Sequence, residues 1–346
     1  MNDTSITLYA NIPMQWVGPV RITGPVMAEE LSVPLATFES PLWPSVNRGA
    51  RVSVLSGGIL SVVTDERMTR SVVIEAVNAE HALKTGHWLQ AQKEQLAEQV
   101  KLTSRFCRLL DIHLQYLGNL LYIRFEFDTA DASGHNMVTK AADRLLQYIL
   151  QQDDKLRYVS VSANFCTDKK VSAVNAILGR GKHVVTELIV PEKICSRYLR
   201  TTPARMVDLH IKKNLLGSIL AGSLRSANAH VANMLLGLYL ATGQDAANIV
   251  EGSQSIVHCE QRGADLYFSV TLPNIIVGTV GNGKGLDFVQ ANLQRLGCLE
   301  ARPAGANARR LAVITAAVVL CGELSLLAAQ TNQGELMAAH EKWERT

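Results

Sequence analysis

The chain has 346 residues, is 47% hydrophobic and carries a formal net charge of +3. That length and apolar content suit a globular protein with a large core and more than one domain, and exclude a disordered chain. The near-neutral charge, with no basic block, argues against a dedicated nucleic-acid binder. Six cysteines (Cys107, Cys166, Cys195, Cys259, Cys298, Cys321) are scattered, with no Cys-x-x-Cys pair and no zinc spacing. They suit buried small hydrophobes in a reducing compartment, and no metal is expected. The N-terminus lacks a secretory pattern. The longest apolar stretch, Leu311 to Ala329, is broken by Glu323 and Ser325 and reads as a buried core helix, not a membrane span. A cytoplasmic protein is expected.

In chain order, the first 70 residues are rich in Gly and Pro with short β-like runs. Arg70 to Ala76 predicts a strand, and Glu80 to Gly118 a long helical region. Asn119 to Asp128, with its β-branched and aromatic residues, predicts a strand. A helix is expected from His135 to Gln152 and a strand from Arg157 to Phe165. Residues 71–160 therefore read as an α/β unit inserted in a larger chain. Beyond it, Val184–Val190 suggests a strand, Glu192–Leu199 a short helix, and Val207–Leu220 and Asn228–Ala241 two further helices. Ser255–Glu260 and Asp265–Leu272 suggest a hairpin broken at Arg262-Gly263. Asn307 is placed to cap the long apolar helix. A polar terminal helix is expected over Glu335–Trp343.

Standard nucleotide signatures fail. Gly281-Asn-Gly-Lys-Gly285 lacks the third glycine of a dinucleotide fingerprint, and Gly179-Arg-Gly-Lys182 precedes His183 rather than Ser or Thr. Asp131-Ala-Ser-Gly134-His-Asn136-Met137 lies between a strand and a helix start, where unpaired N–H groups attract a pyrophosphate. A capped turn without ligand fits that spacing equally well. Thr167-Asp168-Lys169-Lys170 sets two ammonium groups after an apolar strand, flanked by Ser162, Asn164 and Asn175. Asp245 follows a helix of small and apolar residues, where the helix dipole disfavours a carboxylate. Glu39 and His340, taken alone, read as surface residues.

These residues sit in segments that together resemble hydroxymethylglutaryl-CoA reductase, from about Ile12 to His340. Among them are Val33-Pro-Leu-Ala-Thr-Phe-Glu39, Asn47-Arg-Gly49, Thr103-Ser-Arg-Phe106, Asp131 to Met137, Asn164 to Lys170, Lys213-Asn-Leu-Leu-Gly217, Asn228 to Asn233, Gly243-Gln-Asp-Ala-Ala247 and Gly322-Glu-Leu-Ser325. Their joint order carries the resemblance. It implies an α+β fold: a large domain (1–70 and 171–346) built around a central helix. A small ferredoxin-like nucleotide-binding unit (71–160) is inserted in it, and a catalytic-lysine loop (161–170) connects them. It also implies NADPH as cofactor, hydroxymethylglutaryl-CoA as substrate, mevalonate as product, and a homodimer or higher oligomer with sites at the subunit interface.

The resemblance makes Glu39, Lys169 and Asp245 a catalytic trio and His340 the acid for departing thiolate. Arg70, Ser162, Asp168, Lys170 and Asn233 would hold the hydroxymethylglutaryl group. Ser104, Arg105, Phe106, Asp131, Gly134, Asn136 and Met137 would hold the cofactor, and Asn47, Arg48 and Arg51 would meet CoA. Glu39 is expected to be buried near Asp245, so that it holds a proton to donate. The chain departs from the family pattern at Ser40 (usually Gly), at Pro41 and Pro44, at His135 (often Met), and at Asn282 and Lys284 in the glycine run. The helical N-terminal domain of relatives is nearly absent. Two other readings compete: a reductase of a different acyl-CoA, and a non-catalytic CoA- or nucleotide-binding relative. The retained catalytic set weighs against the second.

Overall fold

The computed structural model describes residues 9–344, apart from the side chains of His340, Trp343 and Glu344. The elements are β1 (Met14–Thr23), β2 (Glu29–Ala36), α1 (Leu42–Leu55), β3 (Ile59–Glu75), α2 (Ala79–Ala91), α3 (Lys93–Lys101), β4 (Arg108–Leu117), β5 (Leu120–Asp128), α4 (His135–Gln152), β6 (Arg157–Ser160), α5 (Ala173–Leu178) and β7 (Gly181–Val190). Then come α6 (Glu192–Ile194), running into a π-helical turn at Cys195–Leu199, and α7 (Pro203–Leu209), running through a π-helical stretch (His210–Gly217) into α8 (Ser218–Leu220). The chain continues with α9 (Val231–Ala241), α10 (Ile249–Gly252), β8 (Ile256–Arg262), β9 (Asp265–Ile275), α11 (Asp287–Arg295), α12 (Ala306–Gln330) and α13 (Glu335–Glu344).

β3 organises the sheet. Its first part pairs with β1 and β7 in the path β2-β1-β3-β7-β9-β8, and its second part pairs with β5 and β6. With β4 beside β5, the chain from β3 to β6 runs β-α-α-β-β-α-β, with every strand pair antiparallel. Two hydrophobic cores result. One joins α1, α9, α12 and the long sheet, and contains Val46, Leu235, Phe268 and Leu320. The other, containing Leu89, Phe125, Leu145 and Ile149, lies under α2, α3 and α4.

Helix α12 is long and apolar enough to cross a membrane, yet twenty of its 25 residues are buried inside the fold. It is therefore a core helix here, and α1, α9 and β7 pack directly on it. Its buried Glu323, Arg310 and Thr315 are satisfied internally. Both oxygens of buried Glu323 accept backbone N–H groups, from Ala229 (2.8 Å) and His230 (2.6 Å).

Several elements differ from the sequence expectations. The helical region expected over Glu80–Gly118 ends at Lys101, and Arg108–Leu117 is a strand. Only Ile112 of β4 is fully buried, so its alternation is weak; pairing with β5 fixes it. The strand expected to reach Phe165 stops at Ser160, and β3 begins eleven residues before Arg70. Asn307 does not cap α12. The helix starts at Gly305, in left-handed backbone (φ 81°), and the Asp131 carboxylate accepts the N–H groups of Gly305 and Ala308, each at 2.9 Å. An acidic group at the positive end of a helix is the stronger cap, because charge and hydrogen bonding act together. Asn307 instead accepts from Arg302 and donates to the Glu300 carbonyl.

Candidate active site

Two clefts gather the chemistry-bearing residues. The first, about 340 Å³, lies where α1, α9, α12 and α13 meet, and is lined by Glu39, Ser45, Arg48, His230, Asn233 and Ser325 among others. Glu39 stands in the β2–α1 turn, where its N–H donates to Thr37 Oγ1 (2.9 Å). Its Oε2 accepts from Asn233 Nδ2 at 2.9 Å. His230 was not singled out in the sequence. Its Nε2–H donates to the Gly322 carbonyl (3.0 Å), which fixes the tautomer and leaves Nδ1 as the other ring nitrogen. Its proximity in sequence to Asn233 was the only available signal.

Arg48 is clamped rather than free. It donates to Ser325 Oγ (3.0 Å) and to Glu335 Oε1 (2.6 Å), tying α1 to α12 and α13. The adjoining cleft, about 640 Å³, is lined by Asn47, Arg48, Arg51, Arg197, Tyr198 and Arg200. There the Arg51 guanidinium lies 4.8 Å from the Tyr198 ring centroid, and Asn47 Oδ1 accepts the Gly18 N–H at 2.8 Å. His340 falls in α13, but its side chain lies outside the described residues.

The second cleft, about 530 Å³, is lined by Arg70, Ala132 to Met137, Asp168, Lys169, Asp245, Val280 to Asn282 and Lys284. Lys169 Nζ and Asp245 Oδ2 form an ion pair at 2.7 Å. The hydrogen bond to Asp245 holds the Lys169 ammonium above its ordinary 10.5. Burial opposes ionisation of Asp245, but hydrogen bonds from Lys169 and from the Ala247 N–H outweigh it and hold the carboxyl below 3.8. Asp245 does not sit at a helix C-terminus, as the sequence suggested. It caps the short turn Ala246–Asn248, where the dipole favours it.

The loop carrying Lys169 is strained. Asn164, Thr167 and Lys169 have φ of 57°, 44° and 56°, in a region side chains seldom adopt and a β-branched residue least of all. Cys166 N–H to Ser71 Oγ (2.9 Å) and Asn175 Nδ2 to the Thr167 carbonyl (3.2 Å) hold it. Beneath it lies an ionic cluster that the sequence did not reveal. Fully buried Arg180 ion-pairs with Asp168 (2.9 Å) and with buried Glu251 (2.5 Å). Burial raises the Glu251 carboxyl against the pull of Arg180. Arg70 and His135 approach Asp168 at 3.7 Å each. Burial, then the Arg180 charge, pushes the His135 imidazole down to about 4, so it is neutral at pH 7. Ser162 Oγ accepts weakly from Arg70 (3.4 Å), and Lys170 is exposed, donating to the Asp168 carbonyl at 3.2 Å.

Helix α4 opens at Gly134 (φ 92°) with no side-chain cap, and a Cβ there would meet Thr129 at 2.7 Å. The first N–H groups of α4 thus have no side-chain cap, which fits an anionic group of a dinucleotide. Asn136 is exposed, and Met137 packs on the second core. Asp131 is corrected in role: its carboxylate is committed to the α12 cap. Ser104, Arg105 and Phe106 do not line this cleft. They follow α3 on the surface, with the Arg105 guanidinium 4.7 Å from the Phe106 ring centroid.

Glu39 is exposed, not buried as expected, and among the described residues no hydrogen bond or ion pair joins it to Lys169 or Asp245. Within one chain the trio is divided between two clefts. One group of metal-type donors occurs among the described residues: Asp111, His113 and Glu126. Arg67 and Arg124 already hold Glu126, and Lys93 holds Asp111, so no vacancy for a cation is left there.

The chain is similar to known proteins along nearly its whole length. Residues 5–345 match the family described as hydroxymethylglutaryl-coenzyme A reductase. The 3-hydroxy-3-methylglutaryl-coenzyme A reductase of Aeropyrum pernix is 43% identical over 332 residues, covering 95% of this chain and 78% of that protein. Reductase 3 of Solanum tuberosum is 41% identical over 344 residues, 98% of this chain and 59% of its own length. Among solved structures, the class II 3-hydroxy-3-methylglutaryl-CoA reductase from Streptococcus pneumoniae bound to NADPH aligns with a TM-score of 0.76 at 18% identity. It covers 96% of this chain and 88% of that one, a likeness of fold.

Proposed function

This chain belongs to the hydroxymethylglutaryl-coenzyme A reductase family, and from that premise we propose how its residues divide the work. It is an oxidoreductase of the mevalonate pathway that reduces hydroxymethylglutaryl-CoA. The observation that carries the residue assignment is the Lys169–Asp245 pair at 2.7 Å, in one cleft with the open start of α4.

Two reduced nicotinamides bound in turn, NADPH in this reading, would supply one hydride each, the first for the thioester carbonyl carbon and the second for the aldehyde left when CoA departs. The β3–β6 unit, with its ferredoxin-like strand order, holds that cofactor. Gly134, Asn136 and Met137 meet it in the cleft, and Ser104, Arg105 and Phe106 meet its outer end. As hydride arrives, negative charge grows on the carbonyl oxygen. Lys169, fixed by its strained loop and by Asp245, stabilises that charge. Arg70, Ser162, Asp168, Lys170 and Asn233 orient the acyl group, with Arg180 and Glu251 bracing Asp168 from below. Glu39 donates a proton to the reduced oxygen. Arg48, Arg51 and Asn47 hold CoA, and His340 on α13 protonates the departing thiolate.

This chemistry needs Glu39 beside Lys169, and it needs water excluded. The Lys169 and Asp245 side chains are 40% and 43% exposed in the single chain. A symmetric homodimer resolves both points, with the Glu39 cleft of one subunit closing over the Lys169 cleft of its partner. The enzyme works in the cytosol in this reading, which its six buried, free cysteines support. The test is direct: purified protein with hydroxymethylglutaryl-CoA and each reduced nicotinamide, followed at the reduced-cofactor absorbance. Two equivalents of NADPH consumed per CoA released is the expected result. No consumption with either nicotinamide would overturn the reading.

A further inference from the structure

The second cleft holds a cation that the reaction as described does not use. Lys284 lies between β9 and α11 and is only 5% exposed. Its Nζ donates to the Gly243 carbonyl, and among the described residues no carboxylate lies within ion-pair distance of it. An ammonium has three N–H donors, so two remain for another acceptor. A buried charge without a counter-charge is costly, and burial alone depresses Lys284 to about 8.

The position is rigid. A Cβ on Gly243 would lie 2.3 Å from the Gly283 carbonyl, and one on Gly283 2.5 Å from that of Gly243, so the two segments pack backbone to backbone. The same loop is stitched to the approach to α4. Val280 bridges Ala132, and the Thr279 N–H donates to the Asp131 carbonyl at 2.8 Å. Lys284 and Gly134 therefore line one cleft, on loops that hold each other in register.

We propose that Lys284 is a further cofactor-binding residue, whose ammonium pairs with an anionic phosphate group of the dinucleotide. The inference rests on the reading of this cleft as the cofactor site. The incoming phosphate supplies the counter-charge that the protein withholds. Gly243 fixes the lysine against the cleft wall, so little side-chain freedom remains to be lost on binding.

The test is equilibrium binding of NADPH without acyl substrate, followed by the cofactor's fluorescence at several salt concentrations. Lys284→Gln keeps a donor for the Gly243 carbonyl and removes the charge; Lys284→Met removes both and suits a buried site. Both should weaken NADPH about tenfold or more, the effect of one charge-assisted contact, and both should flatten the dependence of Kd on salt. Lys284→Arg should retain most of the salt dependence. If unmutated protein binds NADPH and Lys284→Gln binds it within about twofold, the inference fails, even if turnover falls, because the lysine then only holds the turn at Gly243. If the unmutated protein binds no nicotinamide dinucleotide, the reading of the cleft itself fails. Should Lys284→Met not fold, Lys284→Gln and the salt dependence of the unmutated protein still decide.

Discussion

Replacing Asp131 by Ala separates a cofactor contact from a structural clamp. Its carboxylate receives two backbone N–H groups at the start of α12, each at 2.9 Å, while its own carbonyl accepts the Thr279 N–H. It therefore fastens the approach to α4 to the core helix of the other hydrophobic core. Loss of a cap costs about 0.5–2 kcal/mol, and a favourably placed charge at a helix end contributes up to roughly 2 kcal/mol. Gly305 and Ala308 are buried, so their orphaned N–H groups recover little from water. Asp131→Ala should destabilise the protein by about 2–4 kcal/mol, and Asp131→Asn, which keeps one acceptor, by about half that. Urea unfolding gives the stability, and NADPH titration gives the binding. The expected pattern is a lowered unfolding midpoint with NADPH affinity within about twofold of the unmutated value. Unchanged stability with a tenfold loss of NADPH affinity would refute the clamp and return Asp131 to the cofactor.

Three further outcomes are expected. Lys169→Ala should lower turnover on the order of 100-fold or more, yet the exposed ion pair it removes contributes only about 0–1 kcal/mol, so the unfolding midpoint should barely move; retained activity would favour Lys170 as the oxyanion partner. Arg105→Ala should reduce the NADPH-over-NADH preference by about tenfold, one charge-assisted contact to the 2′-phosphate, measured as the ratio of kcat/KM values; equal use of both cofactors by the unmutated enzyme contradicts it. His210 is 2% exposed, and burial pushes it down to about 4 from 6.5. The unfolded chain therefore takes up this proton first, and stability is lost as pH falls from about 6.5 to about 4, by up to roughly 3 kcal/mol. His210→Phe should flatten that limb of a stability–pH curve, and an unchanged limb would assign it to other groups.

Sequence pattern located most elements but not the ones decided by distant partners. Helix α4 begins and ends where its periodicity places it, because six apolar positions on one face meet a core. Strand β4 was hidden because one buried residue in ten gives little alternation, and its identity comes from β5. The Asn307 cap failed because a competing acceptor, Asp131, lies 176 residues away in sequence, and no local rule sees it. The proposed site residues come from a family resemblance that joins scattered segments, and the structure gathers Lys169 and Asp245 in one cleft but gives Asp131 another task. Arg180 and Glu251 were not legible, since a buried ion pair between a strand start and a four-residue helix leaves no periodic trace. Nor could sequence show that one chain keeps Glu39 and Lys169 in separate clefts.

That separation makes subunit mixing the most direct test. Glu39→Gln and Lys169→Ala chains, each inactive alone, are co-refolded in equal amounts and assayed with hydroxymethylglutaryl-CoA and NADPH. If the site is shared across a two-fold interface, each mixed dimer holds one intact site. Random pairing then restores about one quarter of the unmutated activity. Mixed dimers that form but stay inactive would contradict the account.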